Sequence, residues 1–497
     1  MRRVAQQQFA CLAVFLVATA FPPPVRAQLH TPDVSAEEAD LRRVLATPAM
    51  REAMRFMERE QAHPDDVVQE WLGICNAYGP EGDEIYRSRH IYKLFRIYGL
   101  EDVHIDEEWN VIGVRPGTGS GPKLVLNAHH DVVNLWPKDQ PIEAFVADGR
   151  VWCPGASDDI VGVVQMLEVL RALNQARVQT AGDIWFATFT GEEKGSRGAS
   201  MFVTENYPIN LDWRRGDILV QFHGPGGEGI TSGSDPIYNQ STLRLFTPFE
   251  RNDPALPGGV DRRWLPHTVD ALAKVIVRVR EEVWDRRTAE VSFRALGQTT
   301  RPAVLYLNMA KITGIPIMNA PASEASVTFD LRSKDGSRVE QAHGDIMRIA
   351  GEVCAEFPKT IPCSYRYQVT SRSGLPEGIH GFDKANNRAA RFAVAAANLL
   401  YGQHGVRGTV DPEQGCGDCI AAYMAGMPAM SLRGQILDHG GGRVERGSGA
   451  QVGTLESAHG RRRTTGHNVT QSGEIVSIWS AAKQALVFAV GYVGLAP

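Results

Sequence analysis

No long run of one charge sign appears anywhere in this chain, and that removes a class of readings at once. Lys and Arg number 52 against 57 Asp and Glu, for a net charge of −5. A nucleic-acid surface carries a basic stripe, and none is written here, so no nucleic-acid partner is expected. Beyond the N-terminal segment no apolar stretch is long enough to cross a bilayer. No internal repeat is evident. A second Cys-x-x-Cys pair to match Cys416-x-x-Cys419 is missing too. That motif is therefore read as a disulfide or as packing, and not as a metal site.

The one long apolar run, Phe9 to Phe21, follows Arg2 and Arg3 and is broken by Pro22 to Pro24. Val25-Arg26-Ala27 is a small-x-small cleavage pattern. Residues 1–27 are expected to be a secretory signal peptide. The mature chain is then exported, periplasmic or secreted, with no membrane association after cleavage. Export places it where disulfides persist. Cys75, Cys153, Cys354, Cys363, Cys416 and Cys419 remain, an even set that permits three bridges without fixing any. Cys354 with Cys363, and Cys416 with Cys419, are the sequence-near pairs.

What is present is ordinary globular composition, 43% hydrophobic and 22% charged over 497 residues, enough for two or three domains. Residues 35 to 100 read as helical. Then short apolar runs alternate with helices: strands at Asn110 to Val114, Lys123 to Leu126, Asp183 to Phe189 and Asp217 to Phe222, and a helix from Ile160 to Leu173. This alternation predicts an α/β fold with a mixed, largely parallel sheet flanked by helices. Residues 240–375 read as an inserted α+β module, so 28–239 and 376–497 are expected to be two parts of one catalytic domain. Residues 434 to 472, rich in Gly, Arg, Ser and Thr, read as a long loop.

Four clusters sit where those strands end, and open α/β sheets bind ligands at the carboxyl ends of their strands. His129-His130-Asp131 leaves the first; an imidazole there suits a metal, with the carboxylate orienting the ring. Gly155-Ala156-Ser157-Asp158-Asp159 opens a helix, and Asp158 is placed either to bridge two cations or to cap that helix. Glu192 and Glu193 are adjacent carboxylates that repel unless a cation lies between them. His223 closes an apolar strand. Each signal alone has a bland alternative, respectively a structural His-Asp pair, an N-cap, an exposed turn and a packed histidine. Their shared placement is what raises them.

Taken in order, these motifs resemble the M20 metallopeptidases, the peptidase T, carboxypeptidase and aminoacylase-like group. The resemblance runs from Ile105-Asp-Glu-Glu-Trp-Asn-Val-Ile-Gly113 through Ala128-His-His-Asp-Val-Val133, Asp148 to Trp152, Gly155 to Asp158 and Gly191 to Gly195. It continues with His223, Met318-Asn319-Ala320-Pro321 and Phe329-Asp-Leu-Arg332-Ser333. It implies a zinc-exopeptidase-like fold with an inserted lid and dimerisation domain, and hence a homodimer through that insert. It implies two divalent metal ions, zinc by preference with cobalt or manganese able to substitute. His129, Asp158, Glu193 and His223 would be ligands, with His467 as the fifth and His439 and His459 as rivals. Glu192 would be the general base, Asp131 would orient His129, and Asn319 and Arg332 would contact substrate. The implied activity is hydrolysis of small peptides as an exopeptidase. Two alternatives stay open: an N-acyl amino acid amidohydrolase, and a binding protein that keeps the fold. The second draws on two departures, Cys153-Pro154-Gly155 in place of the common Gly-Arg-Gly and the absence of a His-Ser pair in the insert.

Overall fold

The computed structural model describes residues 32–496 except 81, 133–142, 205–209, 213–214, 224–229, 232–236, 248–267, 284–304, 315–321, 334–335, 358–361, 374–387, 405–407, 409, 412–416, 426, 433–451, 454–462, 465–470 and 476. The expected signal peptide, Asn319 and His467 with its rivals lie outside those residues.

Four helices come first: α1 (Ser35–Leu45), α2 (Pro48–Ala62), α3 (Asp65–Asn76) and α4 (Ile85–Ile97). Helix α2 starts where such a sequence should, with the Thr47 hydroxyl accepting from the Met50 N–H at 3.3 Å and Pro48 at the first position. Strands β1 (Glu101–Ile105), β2 (Val111–Arg115), β3 (Leu124–His129), β4 (Phe145–Ala147) and β5 (Arg150–Cys153) follow, then α5 (Val161–Gln175), β6 (Ile184–Phe189), α6 (Arg197–Thr204), β7 (Ile218–Phe222) and β8 (Ile230–Thr231). After an interposed segment come α9 (Arg388–Tyr401), β13 (Val410–Asp411), α10 (Cys419–Met424), β14 (Ala429–Leu432), β15 (Val452–Gly453), β16 (Arg463–Thr464), β17 (Gln471–Glu474) and α11 (Ser477–Val493).

The large sheet has the order β1-β2-β6-β3-β7-β14-β8-β13. Its centre is parallel: β3 pairs with β6 and β7, and β7 with β14, all in the same direction. Strands β1 and β2 add an antiparallel edge. Strands buried on both faces should be near-continuous apolar runs, and β2, β3, β6 and β7 are buried at every position. Alternate residues feed two cores. Leu124, Leu126, Ile184, Phe186, Val220 and Phe222 pack with α5 and α11; Val125, Trp185, Ala187 and Leu219 pack with α6 and α10. Helix α5 is apolar around most of its circumference and buried accordingly.

The interposed segment makes its own antiparallel sheet, β10-β11-β9-β12, from β9 (Ile237–Phe246), β10 (Tyr306–Gly314), β11 (Glu324–Ser333) and β12 (Ser364–Ser373). Helices α7 (Thr268–Arg278) and α8 (Gly336–Ala355) cover one face, burying Leu243, Leu245, Val327, Phe329, Leu331, Leu272 and Ile346 in a separate apolar cluster. A third small sheet, β17-β5-β4, sets Gln471 opposite Cys153.

Two disulfides join cysteines that are both among the described residues. Cys354–Cys363 is one of the sequence-near pairs. Cys75–Cys153, spanning 78 residues, ties α3 to β5 and was not singled out by spacing, since nothing in a sequence measures the distance between remote segments. Cys419 is also disulfide-bonded, and whether Cys416 is its partner falls outside the described residues. Among the described residues no helix is long and apolar enough to cross a membrane.

Candidate metal centre

Three parallel strand ends deliver this site. β3 ends at His129; β6 ends at Phe189 and leads into Glu192 and Glu193; β7 ends at Phe222 and leads into His223. Since β3 pairs in parallel with both neighbours, all three ends open on one edge of the sheet. The fourth contribution is the turn between β5 and α5. Gly155 has φ of 77°, and a Cβ there would fall 2.2 Å from Val132 Cγ1. Only glycine lets that turn lie against the chain just past His129. Asp158 and Asp159 are then non-helical, so α5 begins only at Val161 and Asp158 faces the strand ends instead of the helix.

The resulting distances are short. Asp158 Oδ1 is 3.1 Å from His129 Nε2 and 3.5 Å from His223 Nε2. Glu192 straddles the same two rings, Oε2 at 3.9 Å from His129 Nε2 and Oε1 at 3.9 Å from His223 Nε2. On the far side of its ring, His129 Nδ1 is 3.2 Å from Asp131 Oδ1. Asp131 also accepts from two backbone groups, the N–H of Glu192 at 3.1 Å and of Glu193 at 3.2 Å. One buried carboxylate thus fixes both a histidine ring and the turn carrying the two glutamates.

Charge is concentrated here. Burial works against ionising His129, yet the carboxylates of Glu192, Asp131 and Asp158 hold it well above the ordinary imidazole range. Burial pushes the Glu192 carboxyl well up, and the charges of Glu193, Asp418 and Asp158 add to that against the pull of His129. Burial also works against the Asp131 carboxylate, but His129 and the two N–H donors bring it below its usual value. Next door, burial drives His130 down to about 3, so it is a neutral ring, with Nε2 2.9 Å from Ser88 Oγ.

This donor set fits a cation. One ligand atom each from His129, Glu192 and His223 lie within 4.8 Å of one another, and Asp158 stands beside both histidines. Imidazole nitrogens mixed with carboxylate oxygens suit zinc and its first-row neighbours. Carboxylates this close repel unless positive charge separates them. Of the nine residues singled out by sequence, His129, Asp131, Asp158, Glu192 and His223 converge. Glu193 reaches Asp131 through its backbone, and the trio of close donors contains Glu192 in its stead. Arg332 lies on β11, where its guanidinium makes a forked bond to Asp330, at 3.0 Å from Nε to Oδ1 and 2.9 Å from Nη2 to Oδ2.

The sequence profile of peptidase family M20/M25/M40 matches residues 125–442, more than half of the chain and all the strands that end at this cluster. The chain belongs to that family. Among curated relatives, it is 30% identical over 212 residues to N-formyl-4-amino-5-aminomethyl-2-methylpyrimidine deformylase of Halalkalibacterium halodurans, covering 38% of this chain and 49% of that protein. It is 29% identical over 244 residues to succinyl-diaminopimelate desuccinylase of Methylobacterium radiotolerans, covering 46% of this chain and 55% of that one. The matched region thus spans about half the length of these relatives. Among solved structures, the M20 chain resembles the di-peptidase Dug1p of Saccharomyces cerevisiae, with TM-score 0.62 and 11% identity over 90% of this chain and 99% of that one. Human carnosine dipeptidase 1 gives 0.59 and 12% over 89% and 99%. At these identities the likeness is one of fold.

One residue at the site escaped the sequence reading. Asp418, just before α10, is fully buried beside Glu192; burial pushes its carboxyl up to about 7. Its Oδ2 accepts from Gln221 Nε2 at 3.4 Å. The signal in the sequence is Gly415-Cys416-Gly417-Asp418, a carboxylate preceded by two glycines and followed by an apolar helix, in a stretch whose two cysteines suggest a disulfide instead.

Proposed function

We propose that this M20 hydrolase is an exported exopeptidase that cleaves the amide bond of small peptides, with Glu192 as general base. The observation that carries this is Glu192 itself, a carboxylate facing both imidazoles with its pKa driven upward by burial and by neighbouring charge. A base must hold a proton between two steps, and a raised carboxyl pKa suits that task.

His129, Asp158 and His223 would hold the metal, two ions in this reading, with Asp158 between them and Glu193 and His467 completing the set. Bound there, zinc supplies Lewis acidity to polarise the scissile carbonyl and lowers the pKa of water toward neutrality. Asp131 keeps Nδ1 of His129 engaged so that Nε2 faces the site. Glu192 accepts the proton of the attacking water at a carboxylate oxygen and returns it to the leaving amine nitrogen. Arg332 would pair with a substrate carboxylate, sharing or exchanging its bond to Asp330. Asn319, on the same insert, would hydrogen-bond the substrate, and closure of that insert would exclude water. His467 is favoured over His459 and His439 by the pairing of β17 with β5. Gln471 stands opposite Cys153, and His467 is four positions before it, so it lies at most about 13 Å along the chain from the strand that leads to Asp158. Disulfides favour an oxidising compartment and hence export.

A second reading, hydrolysis of N-acyl amides, is favoured by the relatives named for deformylation and desuccinylation. Both use the same bond chemistry. Metal-loaded protein assayed on dipeptides, tripeptides and N-acetyl amino acids separates them. Turnover of N-acetyl amino acids alone would overturn the peptide reading, and turnover of none would leave the binding-protein alternative.

A further inference from the structure

Beneath the histidines lies a row of polar side chains on the same sheet face. Asn127 of β3 pairs in register with Gln221 of β7, and Gln221 with Ser431 of β14, one or two residues before the strand ends that open on the site. All three are fully buried. Asp418 meets this row from the N-terminal side of α10 and accepts from the Gln221 carboxamide. In this bond the Asp418 oxygen is the acceptor and takes the nitrogen end of the carboxamide, which orients Gln221. The preceding residue closes the space. A Cβ on Gly417 would fall 2.7 Å from Glu192 Oε1 and 2.9 Å from both polar atoms of the Gln221 carboxamide. Glu192 and Gln221 therefore both rest on the Gly417 backbone, and a side chain there would have to displace one of them.

We infer that Asp418 is a positioning residue for Glu192, acting through Gln221 and the Gly417 backbone to set where that carboxylate stands. This rests on Glu192 being the base. None of the groups invoked is a metal ligand in that reading, so the effect belongs to proton transfer and not to cation binding. A base displaced by about 1 Å loses on the order of 100-fold in turnover.

The test compares Asp418→Ala, Asp418→Asn, Gly417→Ala and Glu192→Gln, each loaded with zinc. Metal per chain, thermal midpoint, kcat and KM are measured on whichever of L-alanyl-glycine and N-acetyl-L-alanine the parent hydrolyses. Asp418→Ala and Gly417→Ala are expected to lower kcat by about 10- to 100-fold, with KM within twofold and metal content unchanged. Asp418→Asn, which keeps an acceptor for Gln221, is expected to recover most of the loss. Metal loss in step with activity in both variants would overturn the inference, as would full activity in Gly417→Ala. A folded Asp418→Asn as impaired as Asp418→Ala would do so as well. An active Glu192→Gln would instead overturn the reading on which it rests.

Discussion

The two adjacent glutamates are asked to do different things, and a single atom in each side chain separates the roles. Glu192→Gln keeps size and the backbone N–H on Asp131 while removing the proton acceptor. It is expected to lower kcat by about 100- to 10,000-fold with metal content unchanged, read by metal analysis alongside kinetics. Glu193→Gln is expected to lose bound metal first. Away from the site, Glu168 offers a cleaner titration. It lies buried on α5 with Oε1 2.6 Å from Arg171 Nη1, and burial, aided by Glu60 and Glu70, pushes its carboxyl up to about 7. A raised acid keeps its proton in the folded state over the range where the unfolded chain has lost it. Its contribution to stability is therefore greatest below about pH 4.5 and falls as pH rises to about 7. Glu168→Gln removes that dependence. Its stability relative to the parent is expected to climb by about 3 kcal/mol across this window, followed by urea denaturation at each pH. Residue types and their spacing made His129, Asp158, Glu192 and His223 legible in the sequence, because each follows directly on an apolar strand or opens a helix. Asp418 was not, because its meaning depends on Gln221, a residue on another strand.

At the scale of elements, the strands and helices of the sheet were legible because each carries its own period or apolar run. The bridge between α3 and β5 was not, because it depends on how two distant elements meet. Cys75–Cys153 bridges α3 to the end of β5, two residues before Gly155, so its loss is expected to bear on the site as well as on stability. Closing a loop of this length restricts the unfolded chain. Cys75→Ser with Cys153→Ser is expected to cost about 2–4 kcal/mol, measured by denaturant unfolding, and to weaken retention of metal against a chelator. Unchanged retention would show that the Gly155 turn is held by packing alone. The buried guanidinium of Arg87 on α4 pins the same region, donating to the carbonyl of His130 at 2.7 Å and of Ala77 at 2.9 Å. It reads as an ordinary exposed helix residue in the sequence, since carbonyl acceptors leave no trace in side-chain pattern.

For the molecule as a whole, the metal is expected to report on folding. Anything that binds only the folded state raises stability by about 1.4 kcal/mol for each tenfold excess of ligand over its dissociation constant. Removal with a chelator should lower the thermal midpoint, and zinc should restore it; an unchanged midpoint would mean that the strand ends hold no cation. A second sheet, β9 to β12, interrupts the large one in chain order, and the sequence changes texture near residue 240. Which strand re-enters the large sheet, and where, is not readable from that change. Strand β14 returns to pair with β7 across the entire interposed segment, and β17 returns still later to β5. A ribosome therefore finishes nearly all of this polypeptide before the sheet has its full set of neighbours. On the proposed reading, a chain cut short before β14 is expected to lack hydrolytic activity, because the strand that flanks the His223 end of the sheet is not yet present.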